Sequence, residues 1–242
     1  MRYIPALFVS AALLAQDPAF EVATVKSNKS GQLGQGARPV TGGIFYYHNG
    51  TLGSFLRQAY SLMRYQLTGG PAWMDIDRWD IEGKLGEEKR DMVWPMMRTL
   101  LADRFQVKLH RETHQMPVYW LTVDKKGLKM NPSGEGKGGR VRNGKGLLEA
   151  DDLTMPMLAR WLEQAMERPV VDRTGLSGGY NVRLKWTVGV GEVGYDPSEA
   201  AVDSGLPTLF TAIQENLGLR LESGRGPIEV VVIDRAEKPS DN

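Results

Sequence analysis

Apolar residues recur every three or four positions in four stretches of the chain, which is the spacing of an amphipathic helix. In the clearest stretch Thr51, a residue type that caps helices, precedes Leu52, Phe55, Leu56 and Ala59. The other three stretches lie within residues 89–103, 154–162 and 209–217. The pattern therefore predicts four helices.

Strict alternation of apolar and polar residues indicates a half-buried strand. Short alternating stretches occur at Phe20–Lys26, Gly43–His48, Trp79–Leu85 and Tyr180–Lys185. Two longer stretches, Arg104–Lys125 and Asn216–Arg235, are predicted to be β-hairpins. Strands joined by hairpins, with few helices, favour antiparallel pairing.

The two long stretches resemble each other, and the elements before them recur in the same order. Thr51 and its helix correspond to Thr154 and its helix at a spacing of 103 residues. We therefore predict an α+β fold of two internally duplicated halves, each with two helices packed on a mainly antiparallel sheet. The predicted division is a first half at 20–128, a Gly- and Lys-rich linker at 129–146, a second half at 147–236 and a tail at 237–242. Such a linker favours two lobes over one continuous sheet, although the pattern allows both.

The first fifteen residues have the pattern of an export signal, because Arg2 precedes an apolar run from Tyr3 to Ala15. The run is too short to span a bilayer. The alternative is a buried first helix, which Pro5 disfavours. We predict that residues 1–15 are a signal peptide and that the mature chain is periplasmic or extracellular, without a membrane span.

Charge and cysteine content narrow the classes of function. The chain of 242 residues has 30 basic and 29 acidic side chains, a net charge of +1, so no overall field attracts nucleic acid. The sequence has no cysteine, which excludes disulfides, thiol chemistry and cysteine-ligated zinc. We predict no nucleic-acid partner.

The strongest candidate for metal chemistry is the set His110, Glu112 and His114. On a strand the side-chain period is two, so the three side chains project from one face, and imidazole and carboxylate are ligands for zinc and other divalent ions. The alternative is a solvated strand face, and a turn near Thr113 would separate the three. A divalent metal at these residues is the cofactor candidate, and the sequence predicts no other cofactor.

A second candidate site is aromatic. Tyr46, Tyr47 and His48 adjoin a Gly-rich loop and are candidates to line a groove for a glycan or a peptide, although a core position is the alternative. Asp172 and Thr174, in contrast, have the pattern of a turn in which an Asp side chain accepts backbone hydrogen bonds. No Gly-x-Ser-x-Gly motif is present, and no catalytic residue is predicted.

Four stretches resemble a large paralogous family of exported proteins from Solibacter-type soil Acidobacteria, a domain of unknown function. They are LRQAYSLMRYQLTGGPAWMDIDRWDIEGK, LLADRFQVKLHRETHQMPVYWLTVDKKGLK, RPVVDRTGLSGGYNVRLKW and VVVIDRAEKPSDN. The resemblance covers nearly all of the chain after residue 20. Some relatives are joined to membrane metallopeptidases of the antibiotic-sensor type, which implies a sensing or ligand-binding role. This chain lacks the His-Glu-x-x-His motif of such a peptidase.

Together these observations favour a non-catalytic binding or sensing module of the cell envelope. Its expected partner is a small molecule, a glycan or an envelope protein. Two alternatives stay open: a metal-dependent enzyme that uses His110, Glu112 and His114, and a structural envelope protein.

Overall fold

The structure is a computed structural model, and it describes residues 17–32, 34–197 and 205–240. The predicted signal peptide, residues 1–15, lies outside these residues. Within them the chain forms twelve strands and four α-helices, and none of the helices is long and apolar enough to cross a membrane. The elements are β1 (Val22–Ser27), β2 (Gly36–Thr41), β3 (Ile44–Gly50), α1 (Leu52–Ala59), β4 (Leu67–Gly69), β5 (Trp79–Lys84), α2 (Val93–Arg104), β6 (Lys108–Val123), β7 (Pro132–Gly134), β8 (Val141–Gly144), β9 (Leu147–Leu153), α3 (Met155–Met166), β10 (Val170–Asp172), β11 (Gly179–Lys185), α4 (Leu209–Ala212) and β12 (Leu219–Arg235).

The four predicted helices are present, and local sequence explains where three of them begin. Thr51 caps α1 in a reciprocal box: its hydroxyl accepts from the Ser54 amide at 3.1 Å, and the Ser54 hydroxyl accepts from the Thr51 amide at 2.9 Å. Thr154 and Thr208 cap α3 and α4 through their hydroxyls. A π-helical turn, Ile213–Leu217, extends α4. The apolar period and the capping residues together therefore fix these elements.

The strands form three four-stranded, mainly antiparallel sheets, so the predicted α+β class is confirmed. Their strand orders are β1-β5-β3-β2, β10-β6-β12-β4 and β7-β11-β9-β8. The pairing of β10 with β6 is parallel. The described residues divide into two compact units: one lies within Met1–Leu62, Gly69–Leu109 and Ile233–Asn242, and the other within Met63–Thr68 and His110–Val232.

The first unit packs α1 and α2 on one face of the sheet β1-β5-β3-β2. Alternate residues of the strands face the helices: Phe45 contacts Trp94 of α2, and Tyr47 contacts Phe55 of α1 with 4.9 Å between ring centroids. Phe105 extends this aromatic cluster and is completely buried. These rings pack against one another in the core of the unit, beside buried aliphatic side chains such as Leu52 and Met97.

The second unit has its own core, formed mainly by aliphatic side chains. Leu158 and Leu162 of α3 are fully buried, as are Leu148 of β9 and Val182 of β11. The buried face of α3 therefore covers the sheet β7-β11-β9-β8.

The two predicted hairpins are wrong: each is one continuous strand. β6 and β12 have 16 and 17 residues and are neighbours in the sheet β10-β6-β12-β4. The segment Thr113–Gln115 lacks the Gly, Asn, Asp or Pro that a tight turn favours. In β12, Gly224 and Gly226 are needed for another reason, because a side chain on either would collide with the indole of Trp120.

The chain does not divide at residues 129–146, the predicted linker, since these residues lie inside the second unit. They contain β7 and β8, which pair with β11 and β9. The carboxylate of Asp152 fixes the connection between them by accepting from the amides of Gly136 and Lys137 at 3.1 and 2.9 Å. Glycine and lysine are therefore compatible with two edge strands and their connection here, because side-chain and strand hydrogen bonds order the backbone.

Candidate functional site

The best candidate for a binding site is a pair of recesses in the second unit, on either side of Trp161. Their volumes are about 400 Å³ and about 330 Å³. Trp161 and Gln164 line both. The larger is also lined by Val141, Leu148, Leu153, Pro156, Met157 and Arg160, and the smaller by Asn143, Gly144, Lys145, Gly146, Ala165, Trp186, Val193 and Gly194.

Helix α3 presents Trp161 to the recesses because of its register. Thr154 starts the helix, and its hydroxyl accepts from the Met157 amide at 3.3 Å. The period then buries Leu158 and Leu162 and leaves Met157 and Trp161, one turn apart, on the neighbouring face. Trp161 is half-buried, so one part of the ring packs on the unit and another faces the recesses.

A tight turn between β8 and β9 forms one wall of the smaller recess. Gly144 pairs with Leu147 across Lys145 and Gly146, and Gly146 has a φ of +66°. A side chain on Gly146 would also collide with the carbonyl oxygen of Trp186. The Trp186 amide donates to the Gly146 carbonyl at 3.0 Å. Position 146 therefore requires glycine for two reasons: its φ is positive, and the Trp186 carbonyl leaves no room for a side chain.

The indole ring of Trp186 packs against the indole ring of Trp161. The two rings meet edge to face, with centroids 5.5 Å apart and planes at 88°. The Trp186 indole N–H donates to a Glu192 carboxylate oxygen at 2.8 Å, and burial raises the pKa of Glu192 above its ordinary value despite this hydrogen bond. The Val193 amide donates to the Ala165 carbonyl at 2.8 Å, which ties the following loop to α3. The orientation of Trp161 is therefore set before any ligand arrives.

The larger recess is apolar and accessible to solvent. Val141 is 48% exposed and Met157 is 44% exposed, although both are apolar side chains that line it. Covering such surface with a ligand releases water and is favourable. The Gln164 side-chain amide, shared by both recesses, is a polar group that can orient a ligand.

The aromatic candidates of the first unit do not all face the same way. Tyr47 is fully buried, and its hydroxyl accepts from the Gln58 side-chain amide at 2.7 Å. Tyr46 and His48 lie on the opposite face of β3 with stacked rings 6.4 Å apart, and the Arg38 guanidinium lies 5.0 Å over Tyr46. Tyr47 is therefore a core residue, and binding at Tyr46 and His48 stays a prediction.

The structure brings His110, Glu112 and His114 together on an exposed part of β6. Each imidazole contacts a different oxygen of Glu112, at 2.9 Å for His110 and 2.5 Å for His114. These hydrogen bonds, from His110 first and then from His114, lower the pKa of Glu112. In the part of the chain that the structure describes, no set of three or more His, Cys, Asp or Glu side chains is arranged to hold a metal ion. A metal would have to displace the hydrogen bonds of Glu112.

The predicted Asp172 turn is confirmed. A carboxylate oxygen of Asp172 accepts from the Thr174 amide at 2.8 Å and from the Thr174 hydroxyl at 2.7 Å. Between them, Arg173 projects onto Trp120, with its guanidinium 3.4 Å from the ring centroid. This segment therefore has a structural role.

Trp161 is not among the site residues that the sequence predicts. A signal was present, because Met157 and Trp161 form an apolar pair four residues apart that lies beside the buried stripe of α3 rather than within it. The wall at Gly146 had no comparable signal, since it depends on a long-range contact with Trp186.

Comparison with known proteins places most of the chain in one family. Residues 53–236, which include α1 to β12 and both recesses, match the family described as "Protein of unknown function (DUF3738)". Neither the curated proteins nor the solved structures include a match to the chain.

Proposed function

We propose that this chain, which belongs to the DUF3738 family of proteins of unknown function, is an exported, non-catalytic binding or sensing module. The observation that carries the proposal is the preformed apolar site around Trp161. A ring held on Trp186 lies between two accessible recesses, of which the larger is apolar and the smaller has a mixed lining. Concave, mostly apolar sites with a few polar groups are typical of small-molecule binding.

The proposed ligand is a small, neutral molecule with an aromatic or aliphatic ring. Each recess is near the lower end of the volumes of small-molecule sites, about 300–1,000 Å³. That size fits one or two fused rings. The mostly apolar lining of the larger recess disfavours a charged group, which would lose its hydration there, and the one cation of the lining, Arg160, already pairs with Glu163 at 3.3 Å.

The expected affinity sets the design of the experiment. A ligand of about twelve non-hydrogen atoms that gains about 0.3–0.5 kcal/mol per atom binds with about 4–6 kcal/mol, which corresponds to a Kd between about 1 mM and 40 µM. Such binding is measurable with a small, soluble probe. We choose 2-naphthylmethanol, which is neutral and has two fused rings.

Calorimetric titration of the full chain with 2-naphthylmethanol tests the proposal. We expect saturable binding that Trp161→Leu weakens at least about tenfold, because the substitution removes the ring that separates the recesses. Phe210→Leu is the matched control, since Phe210 is an exposed aromatic of the same unit that packs on Tyr119 and lines neither recess. Equal affinity in all three proteins would contradict the proposal.

We also propose that the chain arose by internal duplication, although the two units do not coincide with the predicted halves. Two sheets support this origin. In the first unit the order is β1-β5-β3-β2, and in the second it is β7-β11-β9-β8. In each, a central strand leads through a capping threonine into a helix, α1 or α3, and then pairs with a later strand.

Export to the periplasm or the outside of the cell is part of the proposed function. It is supported by the sequence of residues 1–15, with Arg2 before an apolar run. Cell fractionation with mass spectrometry of the purified chain tests it. We expect a shortened N-terminus in the exported fraction, whereas an intact Met1 in the cytoplasm would contradict it.

A second candidate function is binding of a divalent cation at His110, Glu112 and His114. The residue types and their closeness support it, because imidazole and carboxylate are zinc ligands, and binding would require Glu112 to give up its hydrogen bonds to both imidazoles. Metal analysis of untagged protein, with zinc titration of wild type and His110→Ala, provides the test. A stoichiometric zinc ion that His110→Ala loses would support this function, and equal weak binding by both proteins would contradict it.

A further inference from the structure

A second pocket, in the first unit, is larger and differs from the Trp161 recesses in its chemistry. Its volume is about 640 Å³. Three segments that are distant in sequence form it: the end of β1 with the following loop, the residues before β5, and the residues after β12. The lining residues are Ser27, Asn28, Lys29, Gly31, Ile76, Asp77, Arg78, Trp79, Lys238 and Pro239.

A partly buried polar network fixes one wall of this pocket. One oxygen of Asp80 accepts from the Asn28 side chain at 2.9 Å and from the Asn49 amide at 2.8 Å. Asn49 is buried and donates from its side chain to the carbonyls of Gln32 and Gly34, both at 2.7 Å. The loop after β1 is therefore held in place and does not need to be ordered by a ligand.

Arg78 is part of the same wall. One terminal nitrogen of its guanidinium donates to the Asn49 carbonyl at 2.9 Å, so the side chain is oriented but keeps further N–H groups for other partners. A guanidinium fixed at one end presents the rest of its planar fork in a defined direction.

The charges of the pocket are unbalanced. Asp77 pairs with Lys238 at 2.6 Å, which leaves Lys29 and Arg78 as cations of the lining. Neither Lys29 nor Arg78 has a carboxylate within ion-pair distance among the residues that the structure describes. The pocket therefore favours an anion.

The pocket also has an apolar side. Ile76 is 71% exposed, and Trp79 and Pro239 line the same space. Exposed isoleucine beside oriented cations is suited to a molecule that has an acidic group at one end and an apolar body at the other.

We infer that this pocket binds a small organic carboxylate, whose acidic group contacts Arg78 and Lys29 and whose apolar body covers Ile76. The planar fork of arginine matches a carboxylate. This inference is independent of the site around Trp161, because it depends on different residues and on an anionic rather than a neutral ligand.

The test follows the Ile76 δ1-methyl resonance of the full chain by NMR during titration with 2-naphthoate. Ile76→Val, an exposed substitution, assigns the resonance. We expect a saturable shift and a Kd that Lys29→Gln raises about three- to tenfold, because one charged contact is lost. Arg78→Lys should weaken binding as well, since lysine lacks the fork.

Two controls isolate the role of charge. Lys185→Gln removes an exposed lysine of β11 in the second unit and should leave the affinity for 2-naphthoate unchanged. The neutral 2-naphthylmethanol has the same rings, and the Kd obtained from its shift of the Ile76 methyl should be at least about tenfold higher.

The inference would be overturned if the Ile76 methyl did not shift up to about 5 mM 2-naphthoate, a concentration above the highest Kd expected for a ligand of this size. Equal affinity for the acid and the alcohol would also overturn it. So would an unchanged affinity in both Lys29→Gln and Arg78→Lys. Shifts confined to the indole resonances of Trp161 and Trp186 would also overturn it while supporting the site in the second unit.

Discussion

Helices α1 and α3 begin in the same way and differ at the position on which the proposed binding site depends. Each follows a capping threonine and buries its first residue, Leu52 or Met155, completely. Seven residues after the cap, α1 has Gln58 and α3 has Trp161. Gln58 donates to the buried Tyr47 hydroxyl, whereas Trp161 packs edge to face on Trp186 between two recesses. The shared positions form the scaffold, and the differing position belongs to the site that we propose.

The largest expected effect is at the shared core positions. Phe55→Ala should lower the free energy of unfolding by about 3–5 kcal/mol and Leu158→Ala by about 2–5 kcal/mol, because each leaves a cavity at a fully buried site. Urea denaturation measures both. Met157→Ala, at an exposed position of α3, is the control and should cost much less. A loss below about 1 kcal/mol for Phe55→Ala would show that α1 does not anchor its unit.

The differing position should separate stability from binding. Gln58→Leu leaves the Tyr47 hydroxyl buried without its partner and should cost about 1–3 kcal/mol. Adding Tyr47→Phe should recover much of that loss in a double-mutant cycle, because the unsatisfied group is then absent. Trp161→Leu should instead weaken binding of the probe at least about tenfold with a smaller loss of stability. Equal stability losses without a binding defect would remove the distinction between the helices.

Removing the capping threonines of α1 and α3 should have smaller effects on stability, and the two effects should differ. Thr51→Ala should destabilise by about 1–2 kcal/mol, and Thr154→Ala by about 0.5–1 kcal/mol. The reason is that Thr51 and Ser54 satisfy each other's amides, whereas Thr154 accepts a single bond at 3.3 Å. Thermal or urea unfolding of the two variants provides the measurement. A larger loss for Thr154→Ala would contradict the role assigned to the reciprocal box.

The smallest expected effect is on the pH dependence of stability, through Glu192, which accepts a hydrogen bond from Trp186. Burial raises the pKa of Glu192 above 4.5 in the folded chain, so its protonated form is favoured by folding. Its contribution to stability is therefore full below about pH 4.5, the unfolded value, and is lost as the pH rises through the folded pKa. Glu192→Gln keeps an acceptor for the Trp186 indole but does not ionise. Unfolding measured from pH 4 upward should show a smaller decline in this variant than in wild type, and identical curves would contradict the assignment.

The sequence predicts the helices well because the signals are local. Thr51 and Thr154 lie immediately before apolar stripes, and the stripes match the buried residues of α1 and α3. The α+β class follows from the same signals together with the alternating strands. Local chemistry was enough wherever neighbouring residues along the chain decide the structure.

The long strands β6 and β12 and the edge strands β7 and β8 show where local signals fail. Gly224 and Gly226 indicate a turn by composition, but the indole of Trp120 across the sheet is what requires them. Residues 129–146 have the composition of a linker, yet Asp152 and the neighbouring strands order them. In both cases the deciding partner is distant in sequence.

The candidate sites differ in whether the residues that form them are close together in the sequence. His110, Glu112 and His114 were found because their spacing along one strand is visible in the sequence, and they do converge. Trp161 and Gly146 become a site only when α3, the β8–β9 turn and Trp186 meet. Recesses between elements therefore need the structure.

The central claim is that Trp161 and Trp186 bind a small neutral apolar ligand. The most direct measurement is the ¹H–¹⁵N spectrum of the six tryptophan indoles of the full chain during titration with 2-naphthylmethanol, with Trp161→Leu to assign its resonance. The proposed site predicts saturable shifts of the Trp161 and Trp186 resonances while the other four stay in place. Unchanged Trp161 and Trp186 resonances up to the solubility limit of the probe, or larger shifts at other tryptophans, would contradict it.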